Sequence, residues 1–270
     1  MKVTGSIVLY RNDRSILTAA VNSFLNSDMV ATLYLIDNSP TSELKDISQD
    51  KRIVYLHNPS NPGFGAAHNI SLKLAMDQDA TFHLILNPDA YYTEGVIEKL
   101  TDFMVAEPKV GNVMPKVLYP DGTTQYLCKL LPTPYDWIGR RFNPVKKLVR
   151  KRNNTFELRF TNYDKIMDVP YLSGCFMYLR ISALKEVGLF DERIFMYGEE
   201  TDLCRRLIQF GYRTVFYPKV SIFHHFEKGS HKSWRLTKIG IQSAIYYFNK
   251  WGWFCDKERR RINRETLKRL

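Results

Sequence analysis

With 270 residues, 44% of them hydrophobic and 25% charged, the chain is long enough for one large domain or two small ones, and its composition excludes a disordered or fibrous protein. Its net charge of +11 is concentrated: residues 140–152 carry seven positive side chains and no negative one, residues 257–270 carry seven and two, and the remainder is near neutral. A uniformly basic surface is thereby excluded, leaving two patches suited to an anionic lipid, a nucleic acid or a phosphate-bearing ligand.

No apolar run reaches the length needed to span a bilayer, and Met1-Lys2-Val3-Thr4 enters a strand pattern directly instead of a signal peptide. Cys128, Cys175, Cys204 and Cys255 are scattered without a C-x-x-C pair. They are expected to be reduced thiols of a cytoplasmic protein, three of them in the core.

Residues 3–10 read as a buried strand, and Asp13 is placed to cap a helix whose apolar positions Leu17, Ala20, Val21, Phe24 and Leu25 recur at helical spacing. Strands at 32–36 and 53–56 end in Asp37-Asn38-Ser39-Pro40 and His57-Asn58-Pro59. The segment Asn61 to Asn69 opens a second helix; its Gly63-Phe64-Gly65 is a poor dinucleotide fingerprint, because His68 stands at the last glycine position and the segment follows the third strand. The apolar run Thr81 to Leu86 then meets Asn87-Pro88-Asp89. Proline cannot extend a central strand, so Asp89 falls just outside the carboxyl end of a strand, where ligands of open α/β sheets gather. Taken alone, the tripeptide is better read as a turn. A helix capped by Thr93, with Val96, Ile97, Leu100 and Phe103 inside, follows. This alternation predicts a doubly wound, mostly parallel sheet. Four strand ends carrying Asn or Asp would then share one side of it, which turn chemistry alone does not explain.

The second half opens with a hairpin at 116–123 turning on Pro120-Asp121-Gly122. Residues 128–167 show weak periodicity and read as an insertion or flexible cover. A strand at 169–179 and a short helix from Ser182 to Val187 lead to Gly198-Glu199-Glu200-Thr201-Asp202, three carboxylates in the first turn of a helix. The macrodipole accounts for one or two of them. Apolar strands at 215–218 and 220–223 end in His224-His225, candidate metal or phosphate ligands. A C-terminal helix over 234–254, with Ile241, Ile245, Tyr246, Phe248, Trp251 and Trp253 on its apolar face, leads into the basic tail. It suits a membrane interface or packing on the domain equally.

The ordered series Val8-Leu9-Tyr10-Arg11-Asn12, Asp37-Asn38-Ser39, Asn61 to Asn69, Leu86-Asn87-Pro88-Asp89, Leu172-Ser173-Gly174-Cys175, Gly188-Leu189-Phe190-Asp191-Glu192 and Tyr197 to Cys204 resembles family 2 glycosyltransferases, and among them the bacterial rhamnosyltransferase-like members. Each piece is weak alone; the set, in order over residues 3 to 230, is specific. The resemblance implies an α/β GT-A fold: a mostly parallel central sheet, a small antiparallel part on the acceptor side and a C-terminal helical tail. Residues 1–232 would form the GT-A domain, with a nucleotide-sugar half at 1–115 and an acceptor and catalytic half at 116–232, and 233–270 a basic amphipathic tail.

The same resemblance implies inverting transfer of a sugar, rhamnose being favoured, from a nucleotide-diphosphate sugar, assisted by Mg or Mn. The acceptor would be a lipid-linked glycan of a cell-surface polysaccharide, met in the cytoplasm or at the inner face of an anionic membrane, with no nucleic acid involved. Leu9, Tyr10 and Asn12 would line the nucleotide pocket and Asp37 would bond the base. Asn61, Gly63 and Asn69 would sit beside nucleotide and sugar, Gly63 letting the backbone come close. Asn87-Pro88-Asp89 stands where many relatives have Asp-x-Asp, with Asp89 and His224 holding the metal. Glu200 occupies the general base position, Glu199 stays a second candidate, and Gly174 and Asp202 fall on the acceptor side. A sugar-phosphate nucleotidyltransferase would need a glycine-rich basic loop after the first strand, which Tyr10-Arg11-Asn12-Asp13 does not supply. A basic nucleic-acid or membrane-binding module would leave the converging Asn and Asp loops unexplained.

Overall fold

The computed structural model describes residues 1–47, 49–140, 143–225 and 233–270. The first half is the expected alternation: β1 (Val3–Leu9), α1 (Arg14–Leu25), β2 (Val30–Asp37), β3 (Ile53–His57), α2 (Phe64–Asp77), β4 (Phe82–Leu86), β5 (Ala90–Tyr91) and α3 (Val96–Ala106). Asp13 caps α1, accepting from the Ser15 and Ile16 amides. For α3 the expectation fails: the helix starts at Val96 behind Gly95, whose φ of 85° turns the chain, and Thr93 is no cap.

The second half comprises β6 (Val110–Leu118), β7 (Cys128–Lys129), a π-helical turn (Tyr135–Gly139), α4 (Lys146–Phe156), β8 (Met167–Asp168), β9 (Tyr171–Leu172), β10 (Phe176–Arg180), α5 (Ile181–Val187), α6 (Glu199–Gln209), β11 (Arg213–His224), α7 (Trp234–Trp251) and α8 (Lys257–Arg269). The main sheet runs β3-β2-β1-β4-β10-β6-β11-β5, with β8 on β11. Strands β1 to β4 pair in parallel, β10 is antiparallel to both neighbours, and β11 is parallel to β6. All five residues of β4 are buried at the centre, so Pro88 ends a core strand and delivers Asp89 to the sheet's rim. The two strands read around Pro218 are one, β11, whose register shifts between Tyr217 and Ser221 to absorb the missing donor. Cys128, Cys175 and Cys204 are buried thiols and Cys255 is exposed.

Segment 128–167 is built in, not a loose cover. β7 pairs with β9, the Tyr163 hydroxyl bonds both backbone groups of Cys128, and Arg152 holds the buried Asp136 at 2.6 Å. These partners are long-range, so the segment's order leaves no periodic trace. The C-terminal helices also pack on the domain. Ala244, Tyr247 and Phe248 are the buried face of α7, packed with Trp137 and Trp251, whereas Ile245 is exposed and Tyr246 bonds Asp191. Phe248, Trp251 and Trp253 of the stripe read in sequence thus pack as expected, while Ile245 and Tyr246 do not belong to it. Arg259, Ile262 and Thr266 of α8 are buried. Arg141 of the basic run, and the boundary at residue 232, lie outside the described residues.

Candidate active site

The ends of β1, β2 and β3 meet in a hydrogen-bonded shelf. The buried Asp37 takes the Tyr55 hydroxyl at 2.5 Å on one oxygen and the Ser39 amide at 2.9 Å on the other. The Asn12 side chain accepts from the Tyr10 amide at 2.7 Å, and the Asn38 side chain reaches Asn61 at 3.4 Å. Arg11 and Asn61 have positive φ of 53° and 46°; the Arg11 amide donates to Ser39 Oγ at 2.8 Å and Asn61 accepts from Asn38, which helps hold these conformations. Tyr10 is exposed, so its ring is available to a ligand.

Three residues expected beside the nucleotide serve the chain itself. Leu9 is fully buried in the core, and its carbonyl accepts from the Asn38 amide. Gly63 has φ +100°, and a Cβ there would stand 2.2 Å from the Phe195 carbonyl oxygen, which accepts from the Phe64 amide; its close backbone approach is to Phe195. The Asn69 amide bonds the Phe190 carbonyl and amide and Glu192, clamping the loop that precedes α6.

Next along the rim, Asp89 and His224 come together, with Asp89 Oδ1 3.3 Å from His224 Nε2 and the Asn87 side-chain nitrogen 3.4 Å from the same atom. Burial pushes the Asp89 carboxyl up, but the His224 contacts outweigh it and the net value lies below the usual carboxylate range. Gln125, which sequence reasoning missed, sets the imidazole. Its side-chain nitrogen donates to the His224 carbonyl at 2.7 Å, which turns its oxygen toward Nδ1 at 3.0 Å. In neutral His224 the Nδ1 proton therefore goes to Gln125, and the Nε2 lone pair faces the carboxylate. Two such lone pairs need a proton or a cation between them, so this donor set fits a divalent ion. Among the described residues no three His, Cys, Asp or Glu side chains converge. His225 is exposed, its ring packs on Tyr91 at 5.5 Å between centroids, and its amide donates to the Asp89 carbonyl at 2.9 Å.

Glu199 and Glu200 separate clearly. Glu200 lines a cleft of about 780 Å³ together with Lys129, Trp137, Tyr171, Gly198 and Ile241, a volume suited to a small ligand. Its oxygens accept from the Tyr171 hydroxyl at 3.1 Å and the Gly198 amide at 2.9 Å. Gly174 lies against it, where a Cβ would be 3.6 Å from Glu200 Cβ. Glu199 faces inward with one oxygen unpartnered; burial, then the neighbouring Glu200, holds it protonated well above the usual range. Asp202 faces α7 instead of the cleft, bonding Arg206, Lys250 and the Trp251 indole. Burial pushes the Cys175 thiol up to about 12, with Asp89 and Glu200 both adding to the rise. The Asn87 backbone amide donates to the Cys175 carbonyl at 2.9 Å while Gly174 packs on Glu200, so the Gly174-Cys175 turn links the Asn87-Pro88-Asp89 end of β4 to Glu200.

A parallel sheet whose strand ends carry this shelf, joined to an antiparallel acceptor side, is the GT-A fold of glycosyltransferases. Residues 6–188 match the model of Glycosyl transferase family 2, and the chain belongs to that family. It is 28% identical over 213 residues to the N-acetylglucosaminyl-diphospho-decaprenol L-rhamnosyltransferase of Mycobacterium tuberculosis, covering 74% of this chain and 68% of the relative. To rhamnosyltransferase WbbL of Escherichia coli K12 it is 26% identical over 196 residues, 70% of each chain. GalNAc-T7, solved with UDP, GalNAc and Mn2+, superposes with a TM-score of 0.61 at 16% identity. The match covers 83% of this chain but only 43% of that longer one.

Proposed function

We propose that this chain is an inverting, metal-assisted glycosyltransferase that moves a sugar, rhamnose in the first instance, from a nucleotide-diphosphate donor to a hydroxyl of a lipid-linked cell-surface glycan. The observation that carries the reading is Glu200: an ionisable group on the wall of a cleft, with both oxygens oriented, linked through the Gly174-Cys175 turn to the strand end that carries Asp89. The family's nucleotide site and the rhamnosyltransferase relatives support the donor class.

In this reading the acceptor hydroxyl enters the cleft and gives its proton to Glu200 as its oxygen bonds the anomeric carbon. The bond from that carbon to the diphosphate breaks on the opposite face, and its electron pair leaves with the nucleotide diphosphate. Tyr171 and the Gly198 amide fix the direction of the carboxylate. Asp89 and His224, set by Gln125, would hold the Mg or Mn, which when bound offsets charge on the departing diphosphate. Asp37, Asn12 and Asn61 form the nucleotide shelf.

The test is transfer from nucleotide rhamnose to a lipid-linked acceptor. Glu200→Gln is expected to cut kcat by about 10² to 10⁴. Asp89→Ala is expected to weaken Mn binding, followed by spin resonance, as well as turnover. Unchanged turnover in both variants would remove the assignment. Peripheral membrane contact is part of the reading, supported by exposed Trp234 and Phe254 and by Lys257, Arg264 and Lys268, which have no carboxylate partner among the described residues. Reversing these three charges should weaken binding to phosphatidylglycerol vesicles; equal binding would show that the tail is only a packed helix.

A further inference from the structure

The Glu200 cleft continues into a second concavity of about 270 Å³, the two sharing Arg140, Val149, Asn153 and Arg159. Four cations line it, Arg140, Lys146, Arg150 and Arg159, with Asn143 and Asn153, and among the described residues no carboxylate does. Arg140 and Arg159 share a single acid, Glu157, at 3.0 and 2.5 Å. Lys146 and Arg150 have no ion-pair partner among the described residues.

Local stability does not account for this arrangement. Lys146 and Arg150 stand one turn apart on α4, a spacing at which like charges repel. Lys146 and Lys147 fall in a first helical turn that holds no acid, where cations oppose the macrodipole. Helix stability thus does not favour placing exposed Lys146 and Arg150 here, and an anion bound between them would relieve their repulsion. Basic side chains also continue inward: Lys129, on the cleft wall, lies 5.1 Å over the Tyr171 ring. Burial pushes its ammonium down while Glu157 and Glu200 act to hold the charge, and among the described residues no carboxylate stands at ion-pair distance. A row of basic side chains thus runs from the second concavity to the tyrosine that bonds Glu200.

We propose that this concavity is the subsite for the diphosphate of a diphosphate-linked glycan acceptor, held by Arg140, Lys146, Arg150 and Arg159 while the sugar extends to Glu200. Guanidinium pairs suit the oxygens of a diphosphate, and the two asparagines add neutral donors. The assignment rests on Glu200 as the acceptor's base. It differs from the donor's diphosphate site, which lies at Asp89.

The experiment compares two soluble acceptors of one sugar, an alkyl diphosphate-linked N-acetylglucosamine and the phosphate-free alkyl glycoside. It uses wild type, the exposed double variant Lys146→Ala/Arg150→Ala, and a control lacking two distant exposed cations, Lys99→Ala/Lys109→Ala. Losing two charge-assisted contacts should lower the preference for the diphosphate acceptor, as the ratio of kcat/KM values, by about tenfold or more, with the control matching wild type. In parallel, inorganic pyrophosphate is titrated calorimetrically with chelator present; it should bind wild type and lose affinity in the double variant only. Equal kcat/KM losses on both acceptors, or pyrophosphate binding indifferent to the substitutions, would overturn the subsite. Loss of vesicle binding with pyrophosphate binding intact would make the patch a membrane contact and overturn it as well. If neither acceptor is glycosylated yet pyrophosphate binding depends on Lys146 and Arg150, the function proposed above fails while the anion site stands.

Discussion

At the scale of single residues, the pair Glu199 and Glu200 carries opposite physics at adjacent positions. A one-residue step on α6 turns one carboxyl into the cleft and the other into the core. Glu199→Gln removes a group already held neutral by burial, so transfer should be retained and stability at neutral pH unchanged or raised, as read by urea midpoints. Loss of transfer in Glu199→Gln with retention in Glu200→Gln would reverse the roles. The turn before α6 is under steric control: Gly198 has φ +109°, and a Cβ there would meet the Trp137 ring at 2.3 Å. Gly198→Ala should therefore cost more than about 1 kcal/mol, lower Tm and reduce kcat by turning the Glu200 carboxylate. That Asp37, Asp89 and His224 fall at strand ends was legible because short polar segments follow apolar runs. Gln125 was not: its partner His224 is 99 positions away, and nothing near it in sequence marks an imidazole-setting amide. The structural partners of Gly63 and Asn69, Phe195 and Phe190, were not legible for the converse reason, since a glycine or asparagine in a loop does not say which segment of the chain comes close.

At the scale of elements, helices whose caps and stripes are local were legible, as with Asp13 on α1. Elements held by distant partners were not. Segment 128–167 owes its order to β9, to Tyr163 and to buried ion pairs, and α8 is basic enough to read as a solvated tail. What fixes α8 is Asp256, which accepts Arg205 through two bonds of 2.6 and 2.8 Å and the Arg259 amide at 2.9 Å. Both side chains are almost fully buried, and the Arg205 guanidinium lies 4.3 Å over the Trp251 ring. The pair joins α6, which carries Glu200, to the C-terminal helices. Asp256→Ala leaves a buried guanidinium without its counter-charge and uncaps α8, so a loss of about 3–5 kcal/mol is expected, measured by denaturant unfolding. A change below about 1 kcal/mol would show that the terminus is peripheral to the fold.

At the scale of the whole molecule, the α/β layering was legible from strand–helix alternation, while the insertion of antiparallel β10 beside β4 was not, because strand order depends on pairings between distant segments. Beneath the site the sheet carries a buried polar chain: His68 Nδ1 to Ser6 Oγ, Ser6 Oγ to His83 Nε2, and His83 Nδ1 to Thr4 Oγ1, each at 2.8 Å. Burial pushes His83 down to about 3 and His68 well below its ordinary value, with His83 adding to the latter. Both rings are therefore neutral in the folded protein, whereas in the unfolded chain they take up protons below about pH 6.5. Stability present at pH 7 is then lost as pH falls from 6.5 toward 3, by up to about 1.4 kcal/mol per pH unit for each ring. Glu199 acts with the opposite sign: its raised value makes the folded state bind a proton that the unfolded state has released, so acidification toward pH 4.5 favours folding. The histidines outnumber it, and against a typical reserve of about 5–15 kcal/mol the balance should show as a falling urea midpoint between pH 6.5 and 5. Glu199→Gln should steepen that fall and His83→Asn should flatten it; a midpoint constant over this range in both variants would mean that the buried rings are already charged in the fold.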